Sequence, residues 1–449
     1  MSTSRGEPAT SPRTAAPASR DGLYRKVAWR TMPLLLVCYV VSFIDRTNIG
    51  IAQVRLKADL GFSEGVYGLA VGLFFVGFII FEVPSNMLLA RIGARKTLVR
   101  IMITWGIVTL LTSLATTPTL FYGARFLLGV AEAGFFPGAL FYLAQWFPSA
   151  RRTRMTALFF LGVPLSGILG PPISGWIMHT LGGALGLHDW QWLFVLEGIP
   201  PILLGVLVYF LFQDKPSEAK WLSDNEKRAI EEDLAADQAR KGGDAKHGSM
   251  LRALKDPRVY VLGLVSCGCY TLANAVSFWT PLIINSSGVG NVLSIGLLAA
   301  IPPILGMGVM ILVGRHSDKT LERRWHAAGA EFFAAACLVA LSFATGNPYV
   351  VIVLLALMTA AHYSGLTVFY SIPSIYLSGP DAASGIAMVT TMGSFAAATS
   401  PALLGWIKTT TGSLDLGLQI SAGVVVLGGV ILLLGIPAKA LRERHTAEA

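Results

Sequence analysis

The chain has 449 residues, of which 53% are hydrophobic and only 14% are charged, and its mean hydropathy is +0.61. A soluble globular protein carries about 25% charged residues and could not cover so much apolar surface, so composition excludes a soluble fold. The net charge of +9 comes from short Lys and Arg clusters between apolar runs, which is typical of membrane orientation signals and argues against nucleic-acid binding. The four cysteines lie within apolar runs, and we interpret them as small buried side chains and not as metal ligands.

Twelve apolar runs are long enough to span a bilayer as helices. Their predicted cores are 33–53, 65–89, 98–116, 119–145, 153–180, 191–212, 257–284, 292–313, 327–345, 349–378, 383–409 and 416–438. The sequence therefore predicts an all-α polytopic membrane protein with twelve transmembrane helices in two six-helix bundles.

Polar segments divide this chain into parts. Residues 1–32 are predicted to be a disordered cytoplasmic tail, because the stretch begins rich in Ser, Thr, Pro, Ala and Arg. The first bundle is 33–213 and the second is 257–440. The linker at 214–256 contains Ser223 or Asp224 as the cap of a short amphipathic helix. Residues 441–449 form the predicted cytoplasmic C-terminal tail.

The two bundles repeat one another in sequence. The stretch at 171–177 has its counterpart at 401–407, and the loop at 90–96 has its counterpart at 318–324, at nearly the same offset. A duplicated unit whose two copies meet at a central site suits an alternating-access carrier.

The basic residues predict the orientation in the membrane. Thirty of the 35 Lys and Arg residues fall on the side that holds both termini and the linker, and three fall on the other side. This bias places both termini in the cytoplasm and predicts a multi-pass protein of the cell inner membrane.

Charged side chains at membrane depth are costly unless they are paired or face water, so each is a candidate functional group. The candidates are Asp45, Arg46, Glu82, Arg125, Glu132, Glu197 and His362. Asp45 and Arg46 lie ~20 Å from one face and Arg125 lies ~10 Å from the other, so the three share one depth in a core of ~30 Å. Asp45 could pair with Arg125, or Arg46 with Glu132.

These side chains suggest a chemistry. An arginine fork binds a carboxylate bidentately, so Arg46 or Arg125 would hold an anionic substrate. Burial disfavours a charged carboxylate, so Asp45 or Glu132 would bind and release the coupling proton. The alternative is that these residues only hold the two helices together. Glu82 is interpreted as a helix-end anchor, and Glu197 is ambiguous.

The second bundle offers further candidates. His362 occupies the place equivalent to Glu132, and it is either a second titrating or substrate group or an ordinary packed histidine. The loop residues Gly314, Asp318 and Lys319, with Arg91 and Arg95 in the first copy, are predicted to form a cytoplasmic gate, in which an Asp pairs with a base or caps a helix.

The chain resembles the major facilitator superfamily, and within it the anion:cation symporter family, over essentially its whole length. The superfamily pattern G-x-x-x-D-[RK] is met at 314–319, while the first copy has Ala90 in place of Asp. The narrower resemblance rests on FIDRTN at 43–48, FEVPSN at 81–86, RFLLGVAEAGFFPG at 125–138 and WQWLFVLEG at 190–198.

The resemblance implies proton-coupled uptake of carboxylates such as sugar acids, tartrate, phthalate or hydroxyphenylacetate. It implies that Asp45 and Glu132 take protons and that Arg46 and Arg125 meet the substrate. The family often has Asn where this chain has Thr390, which puts polyol recognition there in doubt. The predicted substrate contacts are Arg46, Arg125, His362, Thr390, Asn274, Trp279 and Phe74.

The sequence thus predicts a secondary symporter of a small organic carboxylate. Its expected partners are that substrate, the proton and membrane lipid, with no nucleic acid, no metal and no cofactor beyond the coupling proton, and a monomer is expected. The alternatives are a proton-coupled efflux antiporter and a non-transporting carboxylate sensor. No Walker A or hydrolase motif is present, so neither ATP-driven transport nor an enzyme is expected.

Overall fold

The structure, a computed structural model, describes residues 17–240, 250–344, 346–377, 382–438 and 441. These residues are helical, with connecting turns and no strand among them. Most of the predicted C-terminal tail, the first part of the N-terminal tail and the linker stretch 241–249 lie outside the described residues.

The helices of the first half are α1 (Pro17–Thr47), α2 (Ile49–Leu60), α3 (Glu64–Ile92), α4 (Ala94–Thr112), α5 (Pro118–Glu132), α6 (Phe135–Trp146), α7 (Ser149–Phe160), α8 (Gly162–Leu181) and α9 (Asp189–Leu211). The linker contains α10 (Asp224–Arg240) and α11 (Met250–Ala253). The helices of the second half are α12 (Pro257–Asn274), α13 (Thr280–Ser286), α14 (Val292–Ala299), α15 (Ile301–Thr320), α16 (Arg324–Leu341), α17 (Pro348–Tyr376), α18 (Ala382–Thr411) and α19 (Asp415–Gly435). A π-helical turn, Ala275–Trp279, joins α12 to α13.

Ten stretches of the described chain are long and apolar enough to cross a membrane, several of them made of two consecutive helices. The two further predicted spans are α4 and α16, which are 19 and 18 residues long but carry more polar sequence, including Arg95, Lys96 and Arg100 in α4. Both pack between apolar neighbours, α4 against α5 and α9, and α16 against α17 and α19. The predicted fold class, two bundles of a twelve-helix membrane protein, matches this architecture.

The prediction of a disordered tail is wrong for residues 17–32, which form the start of α1. The reason is a tertiary contact with the linker helix α10. Tyr24 donates a hydrogen bond to Asp233 (3.1 Å), and Lys26 donates to Glu226 (2.9 Å). The Lys26 hydrogen bond is the largest cause of the lowered pKa of Glu226. Arg20 also forms an ion pair with Asp233. A polar stretch thus becomes ordered by its partner.

We call the end of the molecule that holds α10, the start of α1 and the start of α12 the linker face, and the opposite end, which holds the α2–α3 turn, the far face. The two halves meet toward the far face, where α3 packs on α18, α8 on α14 and α2 on α13. One apolar core joins both halves in this region, whereas the other two cores each belong to a single half.

Glycines bring the halves into backbone contact. A Cβ atom at Gly68 of α3 would lie 2.2 Å from the carbonyl oxygen of Pro401 in α18, and one at Gly405 would lie 2.2 Å from that of Glu64. We call this α3–α18 contact the first glycine seam. The α8–α14 contact is the second glycine seam, since a Cβ at Gly296 of α14 would lie 2.3 Å from the carbonyl oxygen of Pro171 in α8. Since real Cβ atoms do not approach so closely, both seams depend on the missing side chain.

Candidate functional site

An ion pair joins the end of α1 to the end of α5. The Arg46 guanidinium donates from Nη2 (2.7 Å) and from Nε (3.2 Å) to one oxygen, Oε2 of Glu132. The Glu132 side chain is fully buried, while that of Arg46 is 18% exposed. Of the two pairings that the sequence leaves open, the structure makes this one, and it leaves the arginine as the accessible partner.

Aromatic rings surround both arginines. The Arg46 guanidinium lies 5.0 Å from the ring centre of Phe43, 5.2 Å from that of Phe74 and 5.3 Å from that of Phe78. Arg125 lies 5.2 Å from the same Phe74 ring. Phe74 therefore contacts both cations, and its ring provides cation–π stabilisation to each of them where water is scarce.

Asp45 is buried and is held by neutral donors. The hydroxyl of Thr109 in α4 donates to its Oδ2 (2.7 Å), and Asn48 donates weakly to its Oδ1 (3.3 Å). Asn48 also marks the break at which α1 stops and α2 starts. Asp45 makes no hydrogen bond to an arginine among the described residues, but it lies within electrostatic range of Arg125 and Glu132.

Arg125 is buried behind this pair, with only 1% of its surface exposed. Its Nε and Nη2 atoms have no hydrogen-bond partner in the described part of the protein. A buried guanidinium without hydrogen-bond partners is unfavourable. The charge of Arg125 is compensated here by the two nearby carboxylates, Asp45 and Glu132. In this conformation an external ligand reaches Arg46 before it reaches Arg125.

Glu197 of α9, which the sequence leaves ambiguous, belongs to the same region. It is buried, accepts a hydrogen bond from Ser174 (2.6 Å) and lies within electrostatic range of Asp45. Glu82, interpreted from sequence as an anchor, is partly buried and lies within electrostatic range of Arg46.

The five other predicted substrate contacts do not gather around Arg46 as one group. Asn274 is buried and ties α12 to α18 through the Ala397 carbonyl (3.0 Å) and the Ser400 hydroxyl (2.9 Å). Thr390 donates to its own helix at Ala387 (2.8 Å). His362 and Trp279 are buried in the second half, and Phe74 is buried beside the arginines. Their roles toward a substrate stay predictions.

The predicted gate residues are organised differently in the two halves. Asp318 forms an ion pair with Arg323 (3.2 Å), which in turn donates to Ser371 of α17 (2.8 Å), so this contact lies within the second half. In the first half, Asp214 caps α4 by accepting from the backbone N–H of Arg95 (2.8 Å). Asp214, which follows α9, thus supplies the carboxylate at this turn, where the repeat itself has Ala90 in place of Asp. The predicted loop at Gly314 and Lys319 is wrong, because both residues belong to α15, which continues to Thr320, and Arg91 likewise lies in the last turn of α3.

Sequence reasoning missed several polar partners. Thr109 and Ser174 are neutral side chains in apolar helices and give no signal by charge or periodicity. Glu331 is different, because it is a charge within the predicted span 327–345, and the rule applied to Asp45 would have found it. It is buried in α16 and contacts the Cys269 thiol (2.8 Å).

The comparisons with known proteins now decide the family. The sequence model of the Major Facilitator Superfamily matches residues 35–401. The chain belongs to the Major Facilitator Superfamily. It is 45% identical over 415 residues to a putative tartrate transporter of Agrobacterium vitis, covering 91% of this chain and 93% of that protein. It is 42% identical over 417 residues to the putative metabolite transport protein NicT of Pseudomonas putida, covering 93% and 95%.

Two further comparisons extend this result. A quinolone resistance transporter of Acinetobacter baumannii is 36% identical over 420 residues, covering 94% of this chain and 96% of that protein. The crystal structure of a D-xylose–proton symporter superposes with a TM-score of 0.72 at 14% identity, over 92% of this chain and 99% of that one. The fold is thus that of the superfamily, and the chain is a multi-pass membrane protein of a transporter family. The resemblance to the anion:cation symporters agrees with these relatives.

Proposed function

We propose that this protein is a proton-coupled symporter that takes up a small organic carboxylate across the inner membrane by alternating access. The observation that carries the proposal is the Arg46–Glu132 ion pair, in which a partly exposed arginine is held by a buried carboxylate. A carboxylate substrate needs the same guanidinium. Substrate and Glu132 therefore compete for Arg46.

A proton resolves this competition. When Glu132 accepts a proton, the electrostatic attraction to Arg46 falls, and the guanidinium fork is free to bind a substrate carboxylate bidentately. Substrate and proton then enter together, because either one alone leaves a buried charge unpaired. Asp45 is a second proton acceptor, since protonation would leave its bonds from Thr109 and Asn48 in place.

The direction of opening follows from the seams between the halves. The far face is closed by backbone contacts at Gly68 and Gly296. The basic residues assign the linker face and both termini to the cytoplasm. On this proposal the structure, with its far face closed, represents the inward-facing state, and the outward-facing state requires the two glycine seams to separate. The protein works as a monomer in lipid, without a cofactor.

The relatives support an organic anion as the cargo, since two of them are named as tartrate and metabolite transporters. The efflux antiporter stays as a second candidate, because one relative is named as a quinolone resistance transporter. Two arginines at the site favour an anion over the cationic compounds that efflux proteins often carry.

The test is uptake into proteoliposomes that contain the purified protein. A panel of radiolabelled carboxylates is offered with and without an inward proton gradient, for wild type, Arg46→Ala and Arg125→Ala. Arg240→Ala, which removes an exposed linker arginine, is the matched control. We expect accumulation that depends on the gradient, that is lost in the two site variants and that persists in the control. Uptake that ignores the gradient, or that survives in both site variants, contradicts the proposal.

A further inference from the structure

The carbonyl oxygen of Phe278, in the second half, accepts hydrogen bonds from side chains of the first half. It lies in the π-helical turn Ala275–Trp279, where the wider backbone turn interrupts the regular hydrogen-bond ladder of helices α12 and α13. Two side chains of the first half donate to it, the Tyr67 hydroxyl of α3 (2.8 Å) and the Gln53 amide of α2 (3.2 Å). Both donors are buried.

The surroundings are built for this contact. A Cβ atom at Gly50 of α2 would lie 3.1 Å from the same carbonyl oxygen, so a glycine lets α2 approach. The Tyr67 ring packs edge-on against the Trp279 ring, with 5.3 Å between their centres. Tyr67 therefore has one orientation, with its hydroxyl on the carbonyl of Phe278.

Tyr67 also faces the charged site. The Arg125 guanidinium, two of whose nitrogens have no partner among the described residues, lies 5.2 Å from the ring centre of Phe74, which is two turns from Tyr67 on the same face of α3, and it lies within electrostatic range of the Tyr67 side chain. The same guanidinium lies within electrostatic range of Asp45 and Glu132. Tyr67 thus donates a hydrogen bond to the Phe278 carbonyl oxygen, which helps to close the far face, and it also lies within electrostatic range of Arg125.

We propose that Tyr67 is the positioning residue that couples the charged site at Arg125 to closure of the far face, through its hydrogen bond to the Phe278 carbonyl oxygen. A shift of Arg125, when its carboxylate neighbours change partner, moves the phenol and weakens the closure. Gln53 donates to the same oxygen but lies on α2, whereas Phe74, the residue in contact with Arg125, lies on α3 with Tyr67, so Gln53 supports the closure without sensing the site. This inference rests on the proposed alternating-access function.

The test measures opening of the far face directly. Leu282 lies at the far-face cleft between α2 and α13 and is buried in the closed state, so a cysteine there reports opening by its rate of thiol labelling. The reporter Leu282→Cys is placed in a Cys267→Ser background, because Cys267 is partly exposed and the other three native cysteines are buried. Labelling is measured on purified full-length protein in detergent.

We expect Tyr67→Phe to raise the labelling rate by about 2- to 10-fold, the net effect of losing one buried hydrogen bond. Tyr142→Phe is the matched control, since Tyr142 is equally buried but stacks on Phe212 within its own half. Labelling of Tyr67→Phe at the rate of this control overturns the proposal.

A double-mutant cycle tests the coupling. Arg125→Lys and Arg125→Gln are measured in the reporter with and without Tyr67→Phe. If Tyr67 transmits the state of Arg125, the two changes are non-additive, and the Arg125 variants lose most of their effect on labelling once the hydroxyl is gone. Additive effects overturn the coupling. Because labelling needs no substrate or proton gradient, the cycle can succeed even if the proposed symport fails, and the two failures are distinguishable.

Discussion

Replacing Gly68 by alanine is expected to open the far face. The new Cβ would lie 2.2 Å from the Pro401 carbonyl oxygen, which belongs to the backbone and cannot rotate away. Helices α3 and α18 would have to separate by about 1 Å, and overpacking of this kind costs about 1–3 kcal/mol. The cost falls on the closed state alone, because the seam is parted in the other state.

This cost converts into a population shift. A penalty of about 1–3 kcal/mol moves the closed-to-open ratio roughly 5- to 150-fold. The gain in helix propensity on replacing glycine with alanine, about 1 kcal/mol, acts equally in both states and cancels. The expected result is a rise of about one to two orders of magnitude in far-face thiol labelling at Leu282→Cys.

The control is Gly308→Ala in α15, where a Cβ atom would meet nothing within 4 Å. It shares the propensity change without the steric clash, so its labelling rate should equal that of the reporter alone. If Gly68→Ala labels no faster than Gly308→Ala, the α3–α18 seam is not what closes the far face, and the assignment of the inward-facing state fails with it.

Three further predictions concern the ion pair, the inter-helix amide and the linker. Arg46→Lys keeps the charge but removes the planar fork that donates twice to Glu132, and we expect initial uptake rates to fall at least ~10-fold. Asn274→Ala removes two hydrogen bonds to α18 and should lower the free energy of unfolding by about 1–3 kcal/mol, which thermal unfolding measures. A change in substrate KM without a change in Tm would contradict this structural role and would support the substrate contact that the sequence predicts. The pKa of Glu226 is lowered, first by its hydrogen bond from Lys26. The ionised Glu226 therefore contributes about 0.2–1 kcal/mol to the free energy of unfolding at pH values above its pKa in the unfolded chain. This contribution is lost as the pH falls through the lowered pKa of the folded protein. Hydrogen exchange of α10 should therefore be faster in Glu226→Gln than in wild type at pH ~7, and the difference should disappear as the pH falls below the lowered pKa of Glu226.

Run length and charge predict most of the fold and part of the site. The spans can be predicted from the length of the apolar runs, because a segment that crosses a bilayer must be apolar over that length. The depth argument brings Asp45 and Arg46 to the level of Arg125, and it leaves the Arg46–Glu132 pair as one of two possible pairings. The break at Asn48 could not be predicted, since neither proline nor glycine marks it. The helix at 17–32 escaped prediction because its order comes from contacts with α10, far away in sequence.

The roles of the neutral side chains at the site could not be predicted from the sequence, for a different reason. A hydroxyl in an apolar helix satisfies itself on its own backbone in most cases, as Thr390 does at Ala387. Thr109 looks the same in sequence but donates to Asp45 instead, and only the position of Asp45 in the fold distinguishes the two. Tyr67 is likewise one aromatic residue among many until its hydroxyl is seen on the Phe278 carbonyl oxygen.

The duplicated fold carries its charges unequally, and this asymmetry bears on the mechanism. Asp45, Arg46, Arg125 and Glu132 all belong to the first half, whereas the ion pairs described in the second half, such as Asp318–Arg323, lie at the linker face. The place equivalent to Glu132 holds the buried His362. On the proposed mechanism, the first half would hold proton and substrate, and the second half would close over them. On this view an opening motion requires no charge to cross between the halves, only the release of the Phe278 carbonyl oxygen and the two glycine seams.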